Sequence, residues 1–342
     1  MMIPVKRTLY LLLIVIVAFV ACNKASDKKN IRTWKKPIAK KHLFSVGVYG
    51  TDKIWIVGFE GAIHHSPDGG ESWVLQKSPI QQDLYNVCFV NENKGWIVGK
   101  HGVVLSTDDS GKTWIQLKTQ SDQRLFDAHF IDEKTGWVVG TMGTILHTKD
   151  GGASWTEQGW GEDRYYNSVY FVDSQRGWIV GEYSTLYHTQ NGGETWTPQE
   201  CEEIKPIEPP DDFPPPPPHL FGIYFESKAV GWVTGMDGII IKTINGGKTW
   251  KRLTSKKDFT LYQIAVQGLN GWAVGEKGSF MVSSDGGNTW SLDTIHLRTK
   301  FWLRDITFSD PRHGWIVGAG GTIIRTTDGG NSWEGLSGLF IQ

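Results

Sequence analysis

Three arginines, Arg124, Arg164 and Arg304, each stand at the start of a run of alternating apolar residues, and Tyr165 and Tyr166 follow the second of them. Gathered at one point, three guanidinium groups would grip a carboxylate. A tyrosine paired with a glutamate could then attack an acidic sugar, with an aspartic acid protonating the leaving group. The carboxylates at regular positions are Asp68, Asp109, Asp150, Asp285 and Asp328, and Asn191 and Asn245 occupy the same column. An amide in that column removes the charge, so the column reads as turn chemistry. Its side chains accept N–H groups of their own turn. No carboxylate pair stands outside the regular positions, and no Arg-Ile-Pro segment occurs. The expectation is therefore solvated loop arginines beside core aromatics, and no catalytic residue.

The other reactive residues point the same way. His65, His147 and His188 share one column with Lys242 and Arg325. A metal shell does not exchange ligands for cations, so no metal is assigned. No H-E-x-x-H, P-loop or dinucleotide fingerprint is present, and no cofactor is expected. The three cysteines, Cys22, Cys88 and Cys201, form neither a disulfide framework nor a C-x-x-C pair. Cys88, within Val87-Cys88-Phe89-Val90, reads as a small buried hydrophobe. A formal net charge of -1 and a pI near 6.8 offer no field to attract nucleic acid.

The elements that hold these residues are repeats. A Gly-Trp-apolar-apolar-Gly unit carries Trp55, Trp96, Trp137, Trp178, Trp232, Trp272 and Trp315, and only the first lacks the preceding Gly. A Ser/Thr-x-Asp/Asn-Gly-Gly-x-x-Trp box, varied slightly, carries Trp73, Trp114, Trp155, Trp196, Trp250, Trp290 and Trp333. Each pair is 18 residues apart, as in Trp55 to Trp73 and Trp315 to Trp333. Repeats of this length, rich in Trp and Gly, predict an all-β, seven-bladed propeller with four antiparallel strands per blade. One blade reads as strands Leu84–Val90, Trp96–Val98 and Val103–Thr107, with a fourth opening at Trp114. The Gly99-Lys100-His101-Gly102 turn uses its two glycines for positive φ. Thr33-Trp34 and Ser332-Trp333-Glu334 both qualify as the closing fourth strand.

Alternation of strands puts the box turns on one face, the box face. Second-to-third-strand turns and blade-to-blade links occupy the other, the link face. The link face is where the repeats diverge. One box spacing is 54 residues rather than about 41, owing to a Pro-rich insertion near 201–219 that ends in five consecutive prolines, Pro214 to Pro218. Trp160, Arg164, Lys300, Trp302 and Arg304 also lie on links, and exposed Trp and Arg are favoured interface anchors. They are the candidate partner-binding residues.

Lys6 and Arg7 precede an apolar run from Leu9 to Ala21 that is too short to span a bilayer. The run ends at Ala21-Cys22, which resembles a bacterial lipobox. The chain thus divides into a lipoprotein signal peptide (1–22) with lipidation at Cys22, a flexible polar tether (23–31) and the propeller (32–342). The expected location is exported and anchored to a bacterial membrane, facing the periplasm or the cell surface.

The box motif resembles the Asp-box, or bacterial neuraminidase repeat. Combined with Gly-Trp-Ile-Val-Gly, it is similar to the photosystem II stability and assembly factor propellers, over roughly residues 32–342. That resemblance implies a noncatalytic scaffold that helps assemble or hold a membrane or envelope protein. The alternatives from other classes are a sialidase-like glycoside hydrolase and a glycan-binding propeller.

Overall fold

The computed structural model describes residues 41–204, 216–253, 259–294, 296–297 and 299–337. Cys22, the tether, Trp34 and Pro206 to Pro215 lie outside them. Among the described residues, no helix is long and apolar enough to cross a membrane. Twenty-eight strands form seven four-stranded antiparallel sheets, each built from consecutive strands. The sheets are the blades of a seven-bladed propeller.

The second strand of each blade is buried on both faces between its neighbours, as in Gly95–Gly99 and Gly136–Gly140. This is why it reads as a continuous apolar run instead of an alternation. In five blades its Trp stacks on a Phe from the next blade's inner strand. Trp55 meets Phe89 at 3.6 Å, Trp96 meets Phe130 at 3.6 Å and Trp137 meets Phe171 at 3.4 Å. The opposite Trp face carries the histidine column: His65, His147 and His188 lie 4.8, 4.7 and 4.7 Å from Trp55, Trp137 and Trp178. Lys242 fills the same place 4.8 Å from Trp232. A column that accepts imidazole or ammonium is a stacking position.

The Gly before each Trp has a steric cause. A Cβ on Gly95 would lie 2.6 Å from the Phe89 ring, and one on Gly136 would lie 2.3 Å from Phe130. Blades 1 and 6 carry Val48 and Val266 where the other five carry Phe; Val48 pairs with Ile54 and Val266 with Gly271. With no Phe ring to accommodate, blade 1 dispenses with the Gly, whereas blade 6 keeps Gly271, where a Cβ would lie 2.8 Å from the Trp290 ring.

Trp Nε1 groups bolt adjacent blades together. Trp55 donates to Ser110 O, Trp96 to Gly151 O and Trp137 to Gly192 O, at 3.1, 2.9 and 3.0 Å, each in the following box turn. Within the turns, Asp68 Oδ1 accepts Ser72 N at 2.8 Å and Oδ2 accepts Ser72 Oγ at 2.6 Å. The same 2.8 Å bond runs from Thr113 N to Asp109, from Ser154 N to Asp150 and from Ser332 N to Asp328. Asp285 accepts Thr289 N at 2.9 Å. Asn191 and Asn245 accept Thr195 N and Thr249 N, both at 3.0 Å, so an amide oxygen serves as well.

Two expectations change. In the Gly99–Gly102 turn, the positive φ values fall on His101 (59°) and Gly102 (66°). Gly99 is required instead by close approach, since a Cβ there would lie 2.4 Å from Asp83 O. Cys88 is half-buried rather than buried, though burial still pushes its thiol up to about 12.

The closing slot is filled from the C-terminal side, where Glu334–Ser337 pairs with Thr322–Thr326. Among the described residues, blades 7 and 1 share no strand and join through side chains. Asp305 Oδ2 accepts Val46 N at 2.9 Å, and Arg325 Nη1 donates to Gly69 O at 2.7 Å. Beneath them Trp315, Val317 and Ile323 pack with Leu43, Val46, Ile54 and Ile56.

Candidate functional site at the channel mouth

Six inner strands have a register shift one residue from their start, between Leu43 and Ser45, Leu84 and Asn86, Tyr166 and Ser168, Leu220 and Gly222, Leu261 and Gln263, and Leu303 and Asp305. The seventh has the same shift at Leu125–Asp127. A bulge inserts an extra residue and re-aims its side chain. Here the seven bulged residues are Phe44, Tyr85, Phe126, Asn167, Phe221, Tyr262 and Arg304, and all line one cavity of about 40 Å³ on the propeller axis. Because inner strands start at the link face, these residues form a collar at that mouth of the channel.

The collar rings touch in sequence. Phe44 and Tyr85 lie 5.5 Å apart, Tyr85 and Phe126 5.6 Å, and Phe126 and the exposed Tyr165 6.0 Å. On the far side, Phe221 and Tyr262 are 5.4 Å apart, and the Arg304 guanidinium sits 4.8 Å from the Tyr262 centroid.

Below the collar comes a polar ring that includes Ser45, Asn86, Asp127, Ser168, Gln263 and Asp305. Ser45, Asp127 and Asp305 satisfy inner-edge N–H groups of the next blade, which no further strand can pair, while Gln263 Oε1 accepts Ile264 N of its own strand. Ser45 Oγ accepts Val87 N at 3.3 Å, and Asp127 Oδ2 accepts Val169 N at 2.9 Å and Ser168 Oγ at 2.6 Å. Burial lifts the Asp127 carboxyl to about 6 against those hydrogen bonds, and the Asp305 charge adds to the rise. Asp305 is raised as well, chiefly by burial. Burial lowers Arg304, while Tyr262, Asp305 and Asp127 counter that.

The sequence-predicted residues divide between two places. Trp302 is half-buried at the blade 7–1 seam, stacked 5.9 Å from Phe44 and 5.1 Å from His42. Arg304 lies within the inner strand Leu303–Phe308 and faces the channel, not a solvated loop. Lys300 is exposed on the link before them. Trp160, 45% exposed, stands edge-on to Tyr187 at 5.0 Å near blade 4. There Glu162 accepts Tyr166 Oη at 3.1 Å and Tyr187 Oη at 3.0 Å. Burial raises the Glu162 carboxyl, but bonds from Trp160, Tyr187 and Tyr166 and the Arg164 charge leave it below its ordinary value. Arg164 donates to Thr185 Oγ1 at 3.2 Å and borders a cavity of about 230 Å³ with Tyr183, Leu186, Pro198, Cys201 and Pro217. Pro218 O, at the end of the insertion, accepts Ser184 N at 2.7 Å.

Arg124, Arg164 and Arg304 thus answer to different partners: Arg124 is exposed with its charge acting on Tyr85, Arg164 meets Glu162 and Thr185, and Arg304 meets Tyr262. Among the described residues, no group of three or more His, Cys, Asp or Glu is placed to hold a metal. The collar itself went unread in the sequence. Its available signal was a column of aromatics one residue after each inner strand's first apolar residue.

The family described as photosynthesis system II assembly factor YCF48 matches residues 15–108, 106–211, 216–301 and 291–339. No curated protein matches the chain significantly. Among solved structures, YCF48 bound to a D1 peptide is 21% identical, with 86% of this chain and 95% of that chain covered and a TM-score of 0.70. YCF48 from Cyanidioschyzon merolae is 20% identical, with coverages of 86% and 99% and a TM-score of 0.69. A GH74 xyloglucanase from Xanthomonas campestris is 12% identical, with 89% of this chain and 55% of that chain covered and a TM-score of 0.69. At such identities these likenesses concern the fold.

Proposed function

This chain belongs to the family of the photosynthesis system II assembly factor YCF48, and on that premise we propose that it is a noncatalytic, lipid-anchored scaffold that holds a membrane or envelope protein during assembly. The observation that carries the proposal is the aromatic collar on the link face. Half-buried rings around a small cavity supply the rigid apolar contact area that interfaces favour. The solved YCF48 structure with a D1 peptide bound supports a protein as the partner class. Cys22, at the end of its apolar run, would fix the propeller to the membrane.

The noncatalytic reading is supported by how the acids are used. The box carboxylates bond their own turns. Asp127 and Asp305 bond amides of the next blade. Glycan binding is the second reading, favoured by the exposure of Trp160.

The test is co-purification of the tagged full-length protein from gently solubilised membranes, with mass spectrometry of its companions. One reproducible envelope protein, lost in Phe126→Ala, is expected. Cys22→Ser should move the protein out of the membrane fraction. Retention on a glycan array with no protein companion would transfer the assignment to the second reading.

A further inference from the structure

Five large apolar side chains stand exposed on the link face, Met142, Trp160, Tyr165, Tyr183 and Met236, at 37–48%. Among the described residues, the other exposed apolar side chains of that size lie on outer strands or box-face turns. The five are neighbours. Gly143 N, beside Met142, donates to Arg164 O at 2.7 Å, and Glu182 N, beside Tyr183, donates to Tyr165 O at 3.0 Å. The Tyr183 and His219 rings lie 5.2 Å apart, and Met236 N donates to His219 O at 2.9 Å. Gly159, beside Trp160, passes so close that a Cβ on it would lie 2.4 Å from Gly143 O. Together they form one arc over blades 3 to 5.

Two of them are held on a strained backbone. Met142 and Tyr183 have φ of 56° and 53°, at the turn position where other blades carry Glu60, His101, Asp237, Lys277 and Gly320. A left-handed backbone is uncommon for side chains of this bulk, and exposed ones add nothing to the core. Such strain persists at sites of contact.

The side chains themselves select the contact. Trp and Tyr join an apolar body to a polar tip and gather where a bilayer meets water. Met adapts to irregular apolar surroundings. The described chain opens at Lys41, just before the inner strand Leu43–Tyr49, which starts at the link face. Residues 23–40 separate that point from Cys22. A chain anchored through Cys22 therefore reaches the propeller on the face that carries the arc.

Resting on the lipid-anchor reading, we propose that the arc of Met142, Trp160, Tyr165, Tyr183 and Met236 sits in the headgroup region of the bilayer and turns the channel mouth toward the membrane. The charged residues on these loops, Arg124, Arg164, Asp163, Glu182 and Asp237, leave no positive excess, so apolar contact rather than attraction to anionic lipid holds it there.

The experiment uses the full-length lipidated protein in phosphatidylcholine vesicles, with or without phosphatidylglycerol. Some of the lipid carries a nitroxide quencher near the top of the acyl chain. An environment-sensitive fluorescent residue is placed singly at Tyr183, at Met236 and, on the box face, at Lys112. The nitroxide should quench both arc positions, equally in either lipid, and spare Lys112. Met142→Asp combined with Met236→Asp should lose the quenching at Tyr183 while the protein still floats with the vesicles, held by the lipid on Cys22. Asp suits the left-handed backbone at position 142, so this variant is expected to fold. Floating protein that is quenched nowhere, as strongly at Lys112 as at Tyr183, or only with phosphatidylglycerol would overturn the proposal and leave the anchor and the client reading intact. Protein that does not float would overturn the anchor as well.

Discussion

The Asp305 carboxylate accepts the Val46 amide at 2.9 Å, and this bond joins the last blade to the first across a seam that no shared strand crosses among the described residues. Hydrogen bonds to charged groups contribute about 1.5–3 kcal/mol, and a buried amide left without an acceptor costs about 1–3 kcal/mol. Asp305→Ala should therefore destabilise the ring by about 2 kcal/mol. Asp305→Asn, which keeps an acceptor, should cost less. Urea midpoints of both variants check this, and an unchanged Asp305→Ala midpoint contradicts it.

Asp127 gives the propeller a pH response. Its folded pKa of about 6 lies above the unfolded value of about 3.9. Between those values the folded state keeps a proton that the unfolded chain has released. The group's contribution is thus complete below about pH 4 and is lost as pH rises through 6. The stability of the unmodified protein relative to Asp127→Asn should fall from pH 4 to pH 7. Asp305 and Arg304 face the same channel and are coupled to Asp127, so the difference reports Asp127 together with that coupling. Parallel pH profiles would contradict the assignment.

In five blades the Gly before the repeat Trp is paired with a Phe on the inner strand. A Cβ on Gly95 would lie 2.6 Å from Phe89, so Gly95→Ala should cost about 1–3 kcal/mol through overpacking. Phe89→Val alone loses the 3.6 Å stack on Trp55. Together the two changes set a Val opposite a residue with a Cβ, as Val48 stands opposite Ile54 in blade 1. Their combined cost should be smaller than the sum of the single costs, and a double-mutant cycle measures that difference. Strict additivity would separate the two columns.

The fold was legible because two Trp columns recur at a fixed 18-residue offset and only repeated blades produce that. The role of the box Asp residues was legible for a similar reason, since Asn191 and Asn245 showed that charge was not required. The collar was not. A bulge shifts the phase of a strand by one residue, and a period-two reading then assigns the wrong face to everything before it. Arg304 was displaced by that slip, read as loop although it belongs to the strand Leu303–Phe308. Trp302 read as a free anchor because its partners, Phe44 and His42, lie some 260 residues earlier and meet it only when the ring closes.

The collar side chains are half-buried and carry little of the blade core. Phe126→Ala and Tyr85→Ala should leave the melting temperature within a few degrees of the unmodified protein while abolishing client retention. A core stack such as Trp137, fully buried between Phe171 and His147, should instead unfold the protein when cut to Ala, at a cost of about 3–5 kcal/mol.

The central claim is that the client sits on the link face, over the channel mouth. Site-specific photocrosslinking in cells tests it most directly. A photoreactive residue is placed singly at Phe126 and Tyr262 on the collar, and at Glu71 and Lys112 on the box face. The account predicts one envelope protein captured from both collar positions and from neither box-face position. Capture from Glu71 or Lys112 alone, or equally from all four, would contradict it.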